Sequence, residues 1–88
     1  MRPYAERRAS RIARLQARAA SLRATGESTV NAASARAACI PLGQPLQAPS
    51  HHSYKRDRNF RDRIQAGFAR GFKAIDEAAT LDRRADAA

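Results

Sequence analysis

The chain has 88 residues, 17 Lys and Arg against 8 Asp and Glu, a formal net charge of +9 and a pI near 11.4, so one small basic domain is available and no large enzyme core. A single cysteine, Cys39, excludes an intrachain disulfide and suits a reducing compartment, so a cytoplasmic location is expected. Arg or another polar residue interrupts every apolar stretch well short of the roughly 20 residues a bilayer span needs, so no membrane association is expected.

Composition alone points two ways. Leu, Ile, Val and Phe total 13 residues, which with high net charge reads as disorder, whereas Ala, Glu, Lys, Leu and Arg total 46, which reads as long helix or coiled coil. Periodicity decides for helix. Pro3 is a good first-turn residue and opens a first helix over about 3–38, whose stripe of Tyr4, Ile12, Leu15, Ala19 and Leu22 keeps helical spacing and then fades. Gly26 within Thr25-Gly26-Glu27-Ser28 is the weak point, because Gly costs about 1 kcal/mol relative to Ala inside a helix. One long helix, kinked or frayed near residue 26, is expected over two separate ones.

Pro41, Pro45 and Pro49 with Gly43 exclude helix from a connector over about 40–50. Ser50 or Ser53 is the candidate cap of a second helix over about 53–85. Here Phe60, Ile64, Phe68, Phe72 and Ile75 form the clearest amphipathic stripe, with Lys55, Arg56, Arg63, Arg70, Lys73 and Arg84 opposite. Gly67 and Gly71 border the stripe and invite another backbone to come close. Arg58 and Asp62, like Lys73 and Glu77, are spaced for pairing along the helix. The predicted fold is all-α: one domain over residues 1–88, an antiparallel, coiled-coil-like helical hairpin with its seam on Phe60, Ile64, Phe68, Phe72 and Ile75. So few large apolar residues make a single seam rather than an enclosed core, so homo-oligomerisation or docking on a partner protein is expected.

The connector and the start of the second helix form the most specific string: Ile40-Pro41-Leu42-Gly43-Gln44-Pro45-Leu46, then His51-His52-Ser53, then the Arg-rich run from Arg56 to Asp62. It resembles the bacterial, often plasmid- or phage-encoded family known as domain of unknown function 3560, with its Ala/Arg/Glu-rich helix, IPxGQP turn, His-His-Ser and Arg-rich stretch ending in Asp. Pro41, Gly43, Gln44, Pro45, His51, His52 and Ser53 carry the motif. That family has no established activity, so the resemblance implies a helical architecture and a mobile-element context and supplies no mechanism.

Read from the residues themselves, Pro and Gly fix an irregular turn, Leu42 and Leu46 tuck onto the helices and Gln44 serves backbone groups. His51 and His52 are adjacent, point in different directions and cannot make the i,i+4 pair of a helical metal site, so they are expected to cap or hydrogen-bond at a helix start. Asp57 and Asp62 are flanked by Arg, which favours ion pairing over acid-base chemistry. No nucleophile elbow, P-loop or dinucleotide fingerprint is present, so no enzyme activity, cofactor, metal or small-molecule substrate is expected.

The basic residues carry the functional expectation. Arg7, Arg11, Arg14 and Arg18 align along one stripe of the first helix over roughly 16 Å. Like charges at that spacing oppose the helix slightly, so a stripe kept against that cost suits a row of phosphates. Joined by Arg56, Arg63 and Arg70, it predicts a module that binds the DNA or RNA backbone without reading bases. The alternative is an interaction hairpin that docks on a protein, including a mobile-element inhibitor of a host complex, through Phe68, Phe72 and Ile75.

Overall fold

The computed structural model describes residues 3–41, 44–46 and 51–88. Two helices account for almost all of them, α1 over Tyr4–Ala37 and α2 over Tyr54–Ala87, 34 residues each. The expected all-α hairpin is what forms, with boundaries within two residues of those read from the sequence. Pro3 takes the N-cap position of α1 with extended backbone (φ −56°, ψ 154°), and its carbonyl accepts the Arg7 amide at 3.1 Å. Ser53 takes the N-cap position of α2, but its side chain makes no capping bond. Leu42, Gly43, Ala48, Pro49 and Ser50 lie outside the described residues.

Contacts pair the start of each helix with the end of the other. Ala19 clusters with Ala78 and Leu81, Gly26 meets Gly71, Gly67 meets Ala33, and Arg8 donates to the carbonyl of Ala88. The hairpin is therefore antiparallel, and it is a rod: 69 × 18 × 17 Å, with a radius of gyration of 19.9 Å where a globule of this length would have about 12 Å.

The seam is built from small residues at seven-residue intervals. On α1 the buried positions are Ala19, Gly26 and Ala33, and on α2 they are Ile64, Gly71, Ala78 and Ala85, with Gly67 and Leu81 on the intervening row. That is the period of a coiled-coil seam. Gly26 is its closest point. A methyl group there would stand 2.8 Å from the Gly71 carbonyl oxygen and 2.8 Å from Ile75 Cγ1, while one on Gly71 would collide with Val30 and lie 2.9 Å from the Gly26 oxygen. The two backbones are thus in near contact.

This geometry bears out one expectation, a single long first helix rather than two, and corrects another. Helix α1 continues through Gly26 without interruption, because the residue that weakens an isolated helix is the one that lets α2 approach. The expected aromatic seam is revised. Of its five residues only Ile64 is buried; Phe60, Phe68 and Ile75 are half-buried, and Phe72 is 53% exposed. Where backbones touch there is no room for a ring between them, so the rings are pushed to the flanks. Tyr4, placed on the first stripe by its spacing, is likewise exposed.

Candidate functional site

A seven-residue seam leaves two long edges beside it, and in an antiparallel pair each edge is lined by equivalent positions of both helices. On one edge, the row that precedes the seam on α1 runs Arg11, Arg18, Thr25 and Ala32, with Arg11 standing before the half-buried Ile12. The matching row on α2 runs Arg56, Arg63, Arg70, Glu77 and Arg84. Side-chain placement agrees: Arg18, Glu77 and Arg84 line one groove between the helices with Leu22 and Leu81 at its floor, and Arg11 and Arg84 line the next with Leu15. Arg7 and Arg14 lie one step further round the α1 surface. All these arginines are exposed.

The two basic groups legible in the sequence therefore share one side of the rod. From Arg84 to Arg56 the row spans about 42 Å at 1.5 Å per helical residue. Glu77 is the single acidic residue in it, and it faces Arg18 and Arg84 in the groove rather than pairing with Lys73. Arg84 belongs to this cluster, although the sequence stripe of α1 does not point to it. The signal that finds it is the seven-residue recurrence from Arg56 onward.

The opposite edge has different chemistry. Arg23 pairs there with Asp82, both about 40% exposed. Val30 and Ile75 pack on the glycine crossing. Phe68 and Phe72 stack with centroids 6.0 Å apart and planes inclined by 12°. Two more cations of this side have carboxylate neighbours, Arg58 with Asp62 at 3.9 Å and Arg61 with Asp57 at 3.1 Å, which neutralises much of the local charge, while Arg83 donates to the Thr80 hydroxyl at 3.1 Å.

The motif around the connector acts on the turn. Arg61, held by Asp57, donates to the carbonyls of Gln44 at 3.0 Å and Pro45 at 3.2 Å, and the Gln44 amide donates to Pro41 at 3.0 Å. Gln44 is thus held through its backbone, and the ion pair expected of Asp57 ties the connector to α2. Leu46, expected to tuck onto the helices, is 41% exposed. His51 and His52 do not diverge as adjacency suggests. Their rings stack at 4.3 Å, and His51 Nδ1 accepts the Ser53 amide at 3.0 Å, the expected bond at a helix start. Among the described residues no three His, Cys, Asp or Glu side chains are grouped to hold a metal ion, and no helix is long and apolar enough to cross a membrane.

A family model described as "Domain of unknown function (DUF3560)" matches residues 3–88. No curated protein and no solved structure gives a significant match.

Proposed function

The chain belongs to the DUF3560 family, and we propose that it is a non-catalytic module that holds nucleic-acid phosphates along one edge of a helical rod. Arg7, Arg11, Arg14, Arg18, Arg56, Arg63, Arg70 and Arg84 are the contacting residues, each an exposed guanidinium suited to bidentate phosphate binding. The observation that carries the reading is the convergence of the α1 and α2 arginines in the grooves shared by Arg11, Arg18 and Arg84. Scattered solubilising charge has no reason to gather on one edge while the other edge is neutralised by paired carboxylates.

The form of the edge also favours a class of ligand. Single strands are held by successive rings on which bases stack. Along this edge Tyr4 stands at one end, Phe60 is half-buried beside Arg56, and the stacked pair Phe68–Phe72 is on the other side. A straight row of guanidinium groups without a stacking platform fits the regular phosphates of a duplex, bound with low sequence specificity. A free, exposed Cys39 fits action in the reducing cytoplasm.

The test is fluorescence anisotropy of a labelled duplex of about 20 base pairs over a salt series, since each neutralised phosphate adds about 0.9 to the log-log slope. A slope of at least four is expected, insensitive to duplex sequence. Arg18→Glu with Arg84→Glu lowers affinity by about 100-fold at moderate salt. A wild-type slope below one overturns the proposal.

A further inference from the structure

The outward face of α2 carries a second period-3.5 stripe that the hairpin seam does not use. Phe72 is its centre, 53% exposed and stacked on Phe68. At the outer ends of the stripe the charges on the two sides of Phe72 are opposite when read outward, Asp62 then Arg58 toward the N-terminus and Arg83 then Asp86 toward the C-terminus, with Asp76 between Phe72 and Arg83. All four are exposed, and Arg58 and Asp62 are paired only loosely, at 3.9 Å, with side chains 59% and 69% accessible.

We propose that this face binds a second copy of the chain, with the two α2 helices antiparallel about a two-fold axis at Phe72. In that arrangement residue 58 of one copy faces residue 86 of the other, so Arg58 meets Asp86. Asp62 meets Arg83, and Phe72 packs on its own equivalent. Gln65 and Ala79 fall opposite each other, and Asp76, on the row of Asp62 and Arg83, falls beside Ala69 of the other copy. A parallel pairing places Arg58 on Arg58 and Asp86 on Asp86 and is disfavoured by like charge. The occupant is specified by this self-complementarity: an isologous interface needs one patch that matches itself under two-fold rotation, and this stripe does at Phe72 and in the charge pairs at its two ends. Association through the arginine edge would bring like charges together, so the neutral side is the one free to self-associate.

The hairpin itself supplies the motive. Among the described residues its buried apolar side chains are Ala19, Ala33, Ala78 and Ala85 with only Ile64 and Leu81 larger, a small core for a domain of this size. Covering Phe72 and Phe68 enlarges it while all eight phosphate-binding arginines stay in solvent.

Sedimentation equilibrium of the full chain, with Cys39→Ser to remove the thiol, tests the interface. A reversible monomer–dimer equilibrium is expected, and a chain that stays monomeric at about 0.5 mM overturns the proposal. Phe72→Asp is expected to weaken the dimer at least tenfold while circular dichroism of the monomer is unchanged, because the ring is outside the seam; a dimer of wild-type strength contradicts the assignment. Arg58→Asp weakens it, and adding Asp86→Arg restores it. Register is read by mixing Gln65→Cys chains with Ala79→Cys chains. A disulfide between unlike chains is expected and none between like chains, whose cysteines would stand roughly 21 Å apart. Like-with-like linkage or none at all overturns the two-fold at Phe72.

Discussion

The two edges of the seam share one pair of backbones and differ in how their charges are satisfied. On the edge of Val30, Phe68 and Ile75 and the outward face of α2 beside it, three cations have carboxylate partners: Arg23 has Asp82, Arg58 has Asp62, Arg61 has Asp57. On the edge of Arg11, Arg18, Arg63, Arg70 and Arg84 one glutamate stands among the guanidinium groups. A net charge of +9 spread evenly would say only that the protein is soluble and repels itself. Concentrated toward one side of a 69 Å rod, it makes a field with a direction, which a polyanion bound as proposed would meet along its length.

That contrast depends on the glycine crossing, so the strongest way to break it is there. Gly71→Val pushes the added atoms into Val30 and the Gly26 carbonyl, where backbone cannot yield cheaply. It is expected to destabilise the hairpin by about 3 kcal/mol, seen as a large fall in the melting temperature, and to remove duplex binding because the α1 and α2 arginines lose their common edge. A smaller change sharpens the contrast instead. Glu77→Arg fills the gap in the α2 row, and duplex affinity at moderate salt is expected to rise about tenfold with the log-log slope steeper by about one; unchanged affinity would separate Glu77 from the binding row.

Next in size is the turn end. Arg61→Ala removes the donor that holds the Gln44 and Pro45 carbonyls and leaves Asp57 without that partner, a loss of about 1 kcal/mol in denaturant unfolding. The smallest effect is on the neutral edge. Arg23→Ala breaks a half-exposed ion pair and is expected to cost about 0.5 kcal/mol and leave duplex affinity within twofold.

The sequence discloses the elements better than their contacts. Helix spans follow from Pro3, the proline cluster and the apolar spacing, and the antiparallel hairpin follows from the connector. What it conceals is which residues make the seam. Hydrophobic periodicity weights side chains by size, so Phe60, Phe68 and Phe72 dominate the reading, while the closest approach is made by Gly26 and Gly71, which contribute nothing to a hydrophobic pattern. The fading of the α1 stripe after Leu22 has the same origin, since the seam continues through Gly26 and Ala33. Both arginine groups are legible as stripes on their own helices. Their sharing of one edge is not, because it depends on the register between helices, and that register is set by glycines read as a weak point.

The central claim is that position on the edge, rather than total charge, governs binding. Two double variants that each remove two positive charges test it most directly: Arg63→Ser with Arg70→Ser on the arginine edge, and Arg23→Ser with Lys55→Ser off it. Measured against the same duplex over the same salt series, the first is expected to lower the log-log slope by about two and the second to leave it unchanged. Equal losses from the two would contradict the account and reduce the basic edge to undirected charge.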